Sequence, residues 1–150
     1  MANNCIFCKI AQKQIPSAII WENNEFLSIL DINPNTRGMA LVLTKTHYPS
    51  YAFGMPKDAY TRFMDAARIV VGKLERGLAV YRVALAMEGM GVDHAHLKLY
   101  PLHGLDQKFR EIEAKDQVFF ENYPGYLTTK LGPQANLEEL QQLAAKICES

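Results

Sequence analysis

Two histidines and a lysine alternate with small and aliphatic residues in the segment His94-Ala95-His96-Leu97-Lys98-Leu99-Tyr100. Successive side chains of a β-strand point to opposite faces, so His94, His96 and Lys98 would share one face. Imidazoles can attack, donate protons or bind metal near neutral pH, and an ammonium group can hold a phosphate oxygen. The spacing predicts a reactive strand face, whereas the alternative is an amphipathic strand whose polar face meets water.

Glycine and histidine residues flank this strand. The turn before it, Glu88 to Gly91, contains two glycines, so backbone amides around Gly91 could approach a bound anion. His103 follows the strand and adds another imidazole near its end.

Cys5 and Cys8 are separated by two residues, a spacing that lets both thiolates hold one tetrahedral metal ion. One such pair supplies only half of a structural zinc site. The alternatives are a redox pair, which normally follows a strand in a βαβ unit, and inert packed thiols. Three cysteines in all are a poor basis for a disulfide framework.

Hydrophobic periodicity predicts the elements that must position these residues. The longest amphipathic pattern predicts a helix from Lys57 to about Leu78, with Pro56 at its first turn. Asn136 would cap a C-terminal helix beginning at Leu137. The predicted strands are Ile19–Trp21, Phe26–Leu30, Met39–Leu43, Tyr81–Met87 and Asp93–Tyr100. Strands outnumber helices and alternate poorly with them, so the pattern favours an α+β fold with an antiparallel sheet.

Composition limits the class of protein. The 150 residues carry 16 basic and 16 acidic side chains, so no overall cationic field favours generic nucleic-acid or anionic-membrane binding. With 49% hydrophobic residues and no repeat or linker, residues 1–150 are expected to form one domain. We find neither a secretory signal nor an apolar run of membrane-spanning length, and we expect a cytoplasmic protein without membrane partners.

The ordered motifs together resemble the histidine triad family, whose signature is three histidines alternating with hydrophobic residues on one strand. Similar segments appear in the same order and with matching spacing over about residues 5–104, and residues 105–150 diverge. They are Cys5–Ile10, Ile15–Ser17, Phe26–Ile32, Gly38–Leu43, Lys45–His47 and the His94 strand.

The resemblance implies a half-barrel antiparallel sheet with flanking helices, a homodimer, and cleavage at the α-phosphate of a nucleotide conjugate. The implied activity is that of a nucleoside phosphoramidase or dinucleoside polyphosphate hydrolase. His96 falls on the family's nucleophile, which would form a nucleotidyl-histidine intermediate. Asp31 matches the acidic residue that holds ribose hydroxyls, and the residues implied to line the base pocket are Ile15, Ile29 and Ile32.

The resemblance also completes the metal site. Zinc-containing members pair the two cysteines with the histidine after the apolar strand, here His47, and with the first motif histidine, here His94. Four protein ligands would close the coordination shell, so the implied zinc is structural. His94 is therefore implied either as a zinc ligand or as a partner that supports the nucleophile.

The sequence departs from the family pattern at the phosphate. Lys98 stands at the third motif position, where it could neutralise phosphate oxygens. Because a lysine side chain ordinarily keeps its proton at neutral pH, it would shuttle protons poorly. The turn Glu88–Asp93 lacks the family's Gly-Gln-Ser/Thr run. We therefore weigh an enzyme against a nucleotide-binding or scaffold homodimer with weak or no catalysis. A third possibility, a zinc-stabilised interaction domain, leaves the polar strand face unexplained.

Overall fold

The computed structural model describes residues 4–130 and 132–148, which divide between residues 109 and 110 into two compact units. The elements of the first unit are α1 (Ile6–Ala11), β1 (Ile19–Glu22), β2 (Phe26–Leu30), β3 (Ala40–Thr44), α2 (Lys57–Leu78), β4 (Val83–Ala86) and β5 (His96–Pro101). A single 3₁₀ turn, Ala52–Gly54, precedes α2.

The strands form one antiparallel sheet in the order β1-β2-β3-β5-β4, which confirms the predicted α+β fold with flanking helices. The β1–β2 hairpin turns at Asn23, whose side-chain oxygen accepts hydrogen bonds from the amides of Glu25 at 2.9 Å and Phe26 at 2.7 Å. An asparagine side chain bonded to amides two and three residues ahead stabilises such a turn. The first two predicted strands therefore form a hairpin.

The last two strands are shorter than predicted because the backbone between them leaves the ladder. The amide of Ala95 donates to the carbonyl of Tyr48 at 2.8 Å, so it is bonded to the loop after β3 and not to a strand. β5 consequently begins at His96.

Helix α2 has the predicted bounds and packs its apolar face on one side of the sheet. Its buried residues include Phe63, Val70 and Leu74, which join Leu97 and Leu99 in the larger core cluster. Pro56 lies one residue before the helix, where its carbonyl accepts the Tyr60 amide at 2.9 Å. Proline is tolerated there because its missing N–H would have no partner within the helix.

Helix α1 covers the opposite side of the sheet and was not predicted. Phe7 and Ile10 are buried and pack against Leu27, Leu41 and Leu43 in a second core cluster. Six residues are too few to form a stable helix alone, so α1 depends on this packing. It also brings the N-terminal cysteines to the sheet.

The second unit contains α3 (Leu137–Cys148) as its one described helix. The side-chain oxygen of Asn136 accepts the amides of Glu138 at 2.8 Å and Glu139 at 3.3 Å, which confirms the predicted cap. Within the described ranges, no helix combines the length and apolar composition needed to cross a membrane.

Candidate active site and metal centre

The histidine strand has one apolar face and one nitrogen-bearing face. Ala95, Leu97 and Leu99 are fully buried on the side of α2. His96 and Lys98 point to the other side, beside Leu43 and Leu41 of the neighbouring strand. His96 is only 5% exposed, so this polar face is largely covered and does not simply meet water.

One ring nitrogen of His96 is held by the backbone. Nδ1 lies 2.6 Å from the carbonyl oxygen of His94, and a carbonyl can only accept, so Nδ1 carries the proton. In the neutral ring Nε2 then carries the lone pair. Every buried side-chain nitrogen and oxygen in the described part of the chain has a hydrogen-bond partner. No partner is found for Nε2 of His96, so this atom must reach solvent.

The surroundings of His96 favour a neutral ring. Burial lowers its pKa below the ordinary value, the hydrogen bond to His94 opposes this, and the Lys98 ammonium lowers the pKa further. Phe7 places its ring edge-on with centroids 5.1 Å apart, which restricts the imidazole from the side of α1. The arrangement presents a fixed, neutral imidazole at the sheet surface, which is the form of histidine that can act as a nucleophile.

A second cluster joins α1 to the start of the histidine strand. The potential ligand atoms of Cys5, Cys8, His47 and His94 all lie within 4.8 Å of one another. His94 Nδ1 is 3.3 Å from Cys5 Sγ, 3.5 Å from Cys8 Sγ and 3.3 Å from His47 Nδ1. Cys8 Sγ is also 3.4 Å from His47 Nδ1.

The hydrogen bonds of the other ring nitrogen determine the tautomer of His94. Nε2 lies 2.7 Å from the carbonyl oxygen of Thr44 and 3.1 Å from its hydroxyl, so Nε2 carries the proton and Nδ1 the lone pair. His94 is fully buried, and this burial lowers its pKa. Its lone pair therefore faces the thiols, as a metal ligand's would.

The distances between donor atoms fit one small tetrahedral ion. Zinc bonds are about 2.0–2.1 Å long to nitrogen and about 2.3 Å long to sulfur. A tetrahedron with these bonds has N···N edges of about 3.3 Å and N···S edges of about 3.6 Å. The four separations of 3.3–3.5 Å between these donor atoms match the edges. Burial raises the pKa of the Cys8 thiol, and a bound cation would reverse this by favouring the thiolate. Two thiols and two imidazoles are therefore a suitable donor set for such an ion.

Lys98 has a partner that the sequence did not indicate. Its Nζ lies 3.1 Å from Oε2 of Glu88, and only 12% of the Glu88 side chain is exposed. Gly89 follows with a left-handed backbone at φ +76°, and a Cβ there would lie 2.8 Å from the Ser50 carbonyl oxygen. Only glycine fits this approach, so the backbone beside Glu88 is held against the Ser50 segment.

The predicted nucleotide-binding residues differ in exposure. Ile29 is buried on the same sheet face as His96, and Ile15 packs against that cluster. Asp31 follows β2, and its Oδ1 accepts the amide of Asn33 at 2.8 Å. Ile32 is 91% exposed, and Gly91 is also exposed.

His103 does not accompany His96. Its Nε2 donates to the carbonyl of Arg37 at 2.8 Å, beyond the opposite end of β5. This hydrogen bond directs the imidazole of His103 away from His96, so His103 does not take the place of the third motif histidine.

Comparison with known proteins identifies the family. The model of the HIT domain matches residues 12–104. An uncharacterised HIT-like protein of Methanocaldococcus jannaschii is 33% identical over 119 residues, covering 75% of this chain and 92% of that protein. The adenosine 5′-monophosphoramidase of Saccharomyces cerevisiae is 34% identical over 101 residues, covering 65% of this chain and 61% of that protein.

Solved structures agree with this assignment. A Streptococcus mutans protein superposes with a TM-score of 0.71 at 25% identity, covering 99% of this chain and 86% of that one. A zinc-bound histidine triad family protein of Mycobacterium smegmatis gives a TM-score of 0.60 at 29% identity, covering 73% of this chain and 83% of that one. The match of sequence, fold and histidine strand leads to one conclusion: the chain belongs to the HIT family.

Proposed function

We propose that the chain is a hydrolase or transferase that cleaves at the α-phosphate of a nucleotide conjugate through a nucleotidyl-His96 intermediate. Membership of a family with hydrolase relatives supports action on phosphorus-containing bonds in general. The observation that carries the finer proposal is the bond from His96 Nδ1 to the His94 carbonyl, which leaves the Nε2 lone pair accessible. A simple scaffold would not need this nitrogen to be kept accessible.

The proposed reaction has two displacements at phosphorus. Nε2 of His96 attacks the α-phosphorus and a P–N bond forms. The bond to the leaving group breaks, its electron pair goes to the leaving atom, and a leaving amine takes up a proton from solvent. The ring becomes positively charged, and its Nδ1–H continues to donate to the His94 carbonyl, which disperses part of that charge. Water then attacks phosphorus, the P–N bond breaks, and the electron pair returns to Nε2. Steady release of AMP from an adenosine 5′-phosphoramidate tests the proposal, and binding without turnover would favour the scaffold alternative.

Lys98 is proposed to stabilise the phosphate oxygens during both steps. Removing a charged donor from a developing negative charge costs about 100-fold in rate, so Lys98→Met should lower kcat/KM by about that factor. Lys73→Met is the matched control, because Lys73 is exposed on α2, which covers the other sheet face. Equal kcat/KM values for the Lys98 variant and the wild type, measured with the phosphoramidate, would show that this ammonium does not act on the phosphate.

The nucleoside is proposed to bind at the predicted residues around β2. Ile15 and Ile29 offer apolar surface to a base, and Ile32 offers an open surface for the same purpose. Asp31 uses Oδ1 for the Asn33 amide, and its second carboxylate oxygen could accept ribose hydroxyl protons. The backbone around Gly91, which is exposed, would approach the phosphate.

Zinc is proposed as the ion held by Cys5, Cys8, His47 and His94. The separations between these donors and the zinc-bound relative support this choice. Bound zinc would cross-link the α1 region to the sheet. All four ligands would come from the protein, so the site is structural.

A homodimer is proposed to form through the β4 edge of the sheet. β4 pairs only with β5 among the described strands, has no bulge in its register, and exposes 40% of Leu85. The other edge strand, β1, is interrupted by a bulge between Ile19 and Trp21, which discourages further pairing. The regular edge is therefore the better candidate for self-association.

Leu85→Asp should convert the dimer into a monomer, because a carboxylate would be desolvated at the proposed interface. Light scattering coupled to size-exclusion chromatography measures the mass. Ile19→Asp, which changes a residue of similar exposure on the other edge strand, should leave the dimer intact. A dimer that survives in the Leu85 variant, or dissociates only in the Ile19 variant, would exclude the β4 edge.

A further inference from the structure

Glu88 lies on the face of the proposed nucleophile through its ion pair with Lys98. The β4–β5 ladder pairs Leu85 with Leu99 and Ala86 with Lys98. The ladder ends at Ala86, and Glu88 follows two residues later in the turn after β4. Its Oε2 accepts a hydrogen bond from Lys98 Nζ at 3.1 Å, which holds the carboxylate at the sheet face that Lys98 shares with His96.

The ion pair of Glu88 with Lys98 differs from the others in the described part of the chain. Its carboxylate side chain is 12% exposed, whereas those of Glu22, Glu25 and Asp116 are 34–67% exposed. A mostly buried ion pair contributes little net stability, because desolvation of both charges offsets their attraction. Its position on the site face points to a role in the reaction.

One oxygen of Glu88 is available to water. Lys98 bonds to Oε2, and no hydrogen bond to Oε1 is found from the described residues. Since none of the described buried polar side-chain atoms lacks a partner, Oε1 must reach solvent. The left-handed Gly89 pressed against Ser50 holds the backbone next to this carboxylate. The site therefore presents a positioned carboxylate oxygen that can accept a proton from water.

The second displacement requires such an acceptor. The attacking water must lose a proton, while the departing imidazole keeps Nδ1–H and leaves as a neutral ring. The Lys98 ammonium has no lone pair and cannot take the proton. We propose that Glu88 is the general base that activates water in hydrolysis of the nucleotidyl-His96 intermediate, and that Lys98 positions its carboxylate. This proposal rests on the proposed function.

In this step a P–O bond forms as the P–Nε2 bond breaks, and the electron pair of the broken bond returns to the imidazole. The water proton passes to Oε1 of Glu88 and then to solvent after the nucleotide leaves. Removing a general base lowers a rate by about 100-fold or more. Glu88 thus takes the proton-accepting role that Lys98 cannot fill.

The test uses the p-nitrophenyl ester of adenosine 5′-monophosphate, because nitrophenolate leaves phosphorus without a proton. Glu88→Gln should release a fast burst of nitrophenolate, followed by turnover about 100-fold slower than the wild type. Intact-mass measurement during turnover should find most of the Glu88→Gln protein carrying one AMP group. Glu25→Gln, which weakens the exposed pair with Arg62, should behave as the wild type.

A second variant distinguishes the loss of a base from the loss of folded structure. Glu88→Ala should also accumulate the adduct, and added formate should speed its hydrolysis by supplying a small carboxylate. Fast turnover of Glu88→Gln without accumulated adduct, or a slower burst in which no adduct builds up, would overturn the role of Glu88 as the base. Wild-type protein that releases no nitrophenolate and forms no adduct would instead overturn the proposed function itself.

Discussion

His96→Ala is expected to abolish turnover of an adenosine 5′-phosphoramidate, lowering kcat by at least about a thousandfold. The variant removes the only group proposed to attack phosphorus, and variants lacking a covalent nucleophile retain little beyond binding and charge stabilisation. Nucleotide affinity should change little because Ile29, Asp31 and Lys98 remain. Steady-state kinetics and equilibrium binding of AMP measure the two effects separately.

His103→Ala is the matched control for this experiment. His103 is also an imidazole in the first unit, but it is exposed and bonded to the Arg37 carbonyl. Its loss should leave kcat within the error of the wild-type value. Equal losses in both variants, or full activity of His96→Ala, would contradict the assignment of the nucleophile.

Cys8→Ser is expected to remove one bound zinc ion per chain and to lower the free energy of unfolding by at least about 3 kcal/mol. The ion would tie Cys5 and Cys8 of the α1 region to His47 and His94, and α1 is too short to be stable alone. Elemental analysis and urea denaturation measure the two losses. A chelator applied to the wild type should reproduce them, and added zinc should reverse only the chelator effect.

Zinc loss should also slow catalysis, since the His94 carbonyl that orients His96 belongs to a proposed ligand. A metal-free wild-type protein with unchanged stability and activity would rule out a structural role for the ion. Substoichiometric zinc in protein purified without added metal, with full stability, would contradict the proposal in the same way.

Periodicity predicted the elements with long or regular patterns. Helix α2 repeats apolar residues over 22 positions, and its bounds were predicted from that repeat. Helix α1 has six residues and only two buried ones, Phe7 and Ile10, which is too short a stretch to carry a helical period. It was missed because tertiary packing, and not local preference, forms it.

The part of the candidate site that lies on one strand was predicted, and the part that depends on contacts between distant segments was not. His94, His96 and Lys98 follow from alternation along one strand, whereas the pairing of Glu88 with Lys98 depends on the register of β4 against β5. Glu88 lies in the glycine-containing turn after β4, so alternation along a strand could not assign it to the face of Lys98. Thr44, which selects the tautomer of His94, is likewise distant in sequence from the residue it contacts.

The structure also bears on the choice between the two roles implied for His94, which are zinc ligand and partner of the nucleophile. Nδ1 contacts the cysteines and His47, and Nε2 contacts Thr44, so both ring nitrogens are directed to groups other than His96. Its link to His96 is the backbone carbonyl. We therefore expect the His94 imidazole to act as a ligand and its carbonyl to support the nucleophile.

The most direct test of the proposed mechanism is to locate the covalent intermediate. Protein mixed with the p-nitrophenyl ester of AMP is quenched within one turnover, digested at high pH to preserve P–N bonds, and sequenced by mass spectrometry. We expect one AMP group on His96, in the peptide that contains His94 and Lys98. AMP on another residue, or rapid product formation with no adduct at any time within the first turnover, would contradict a nucleotidyl-His96 intermediate.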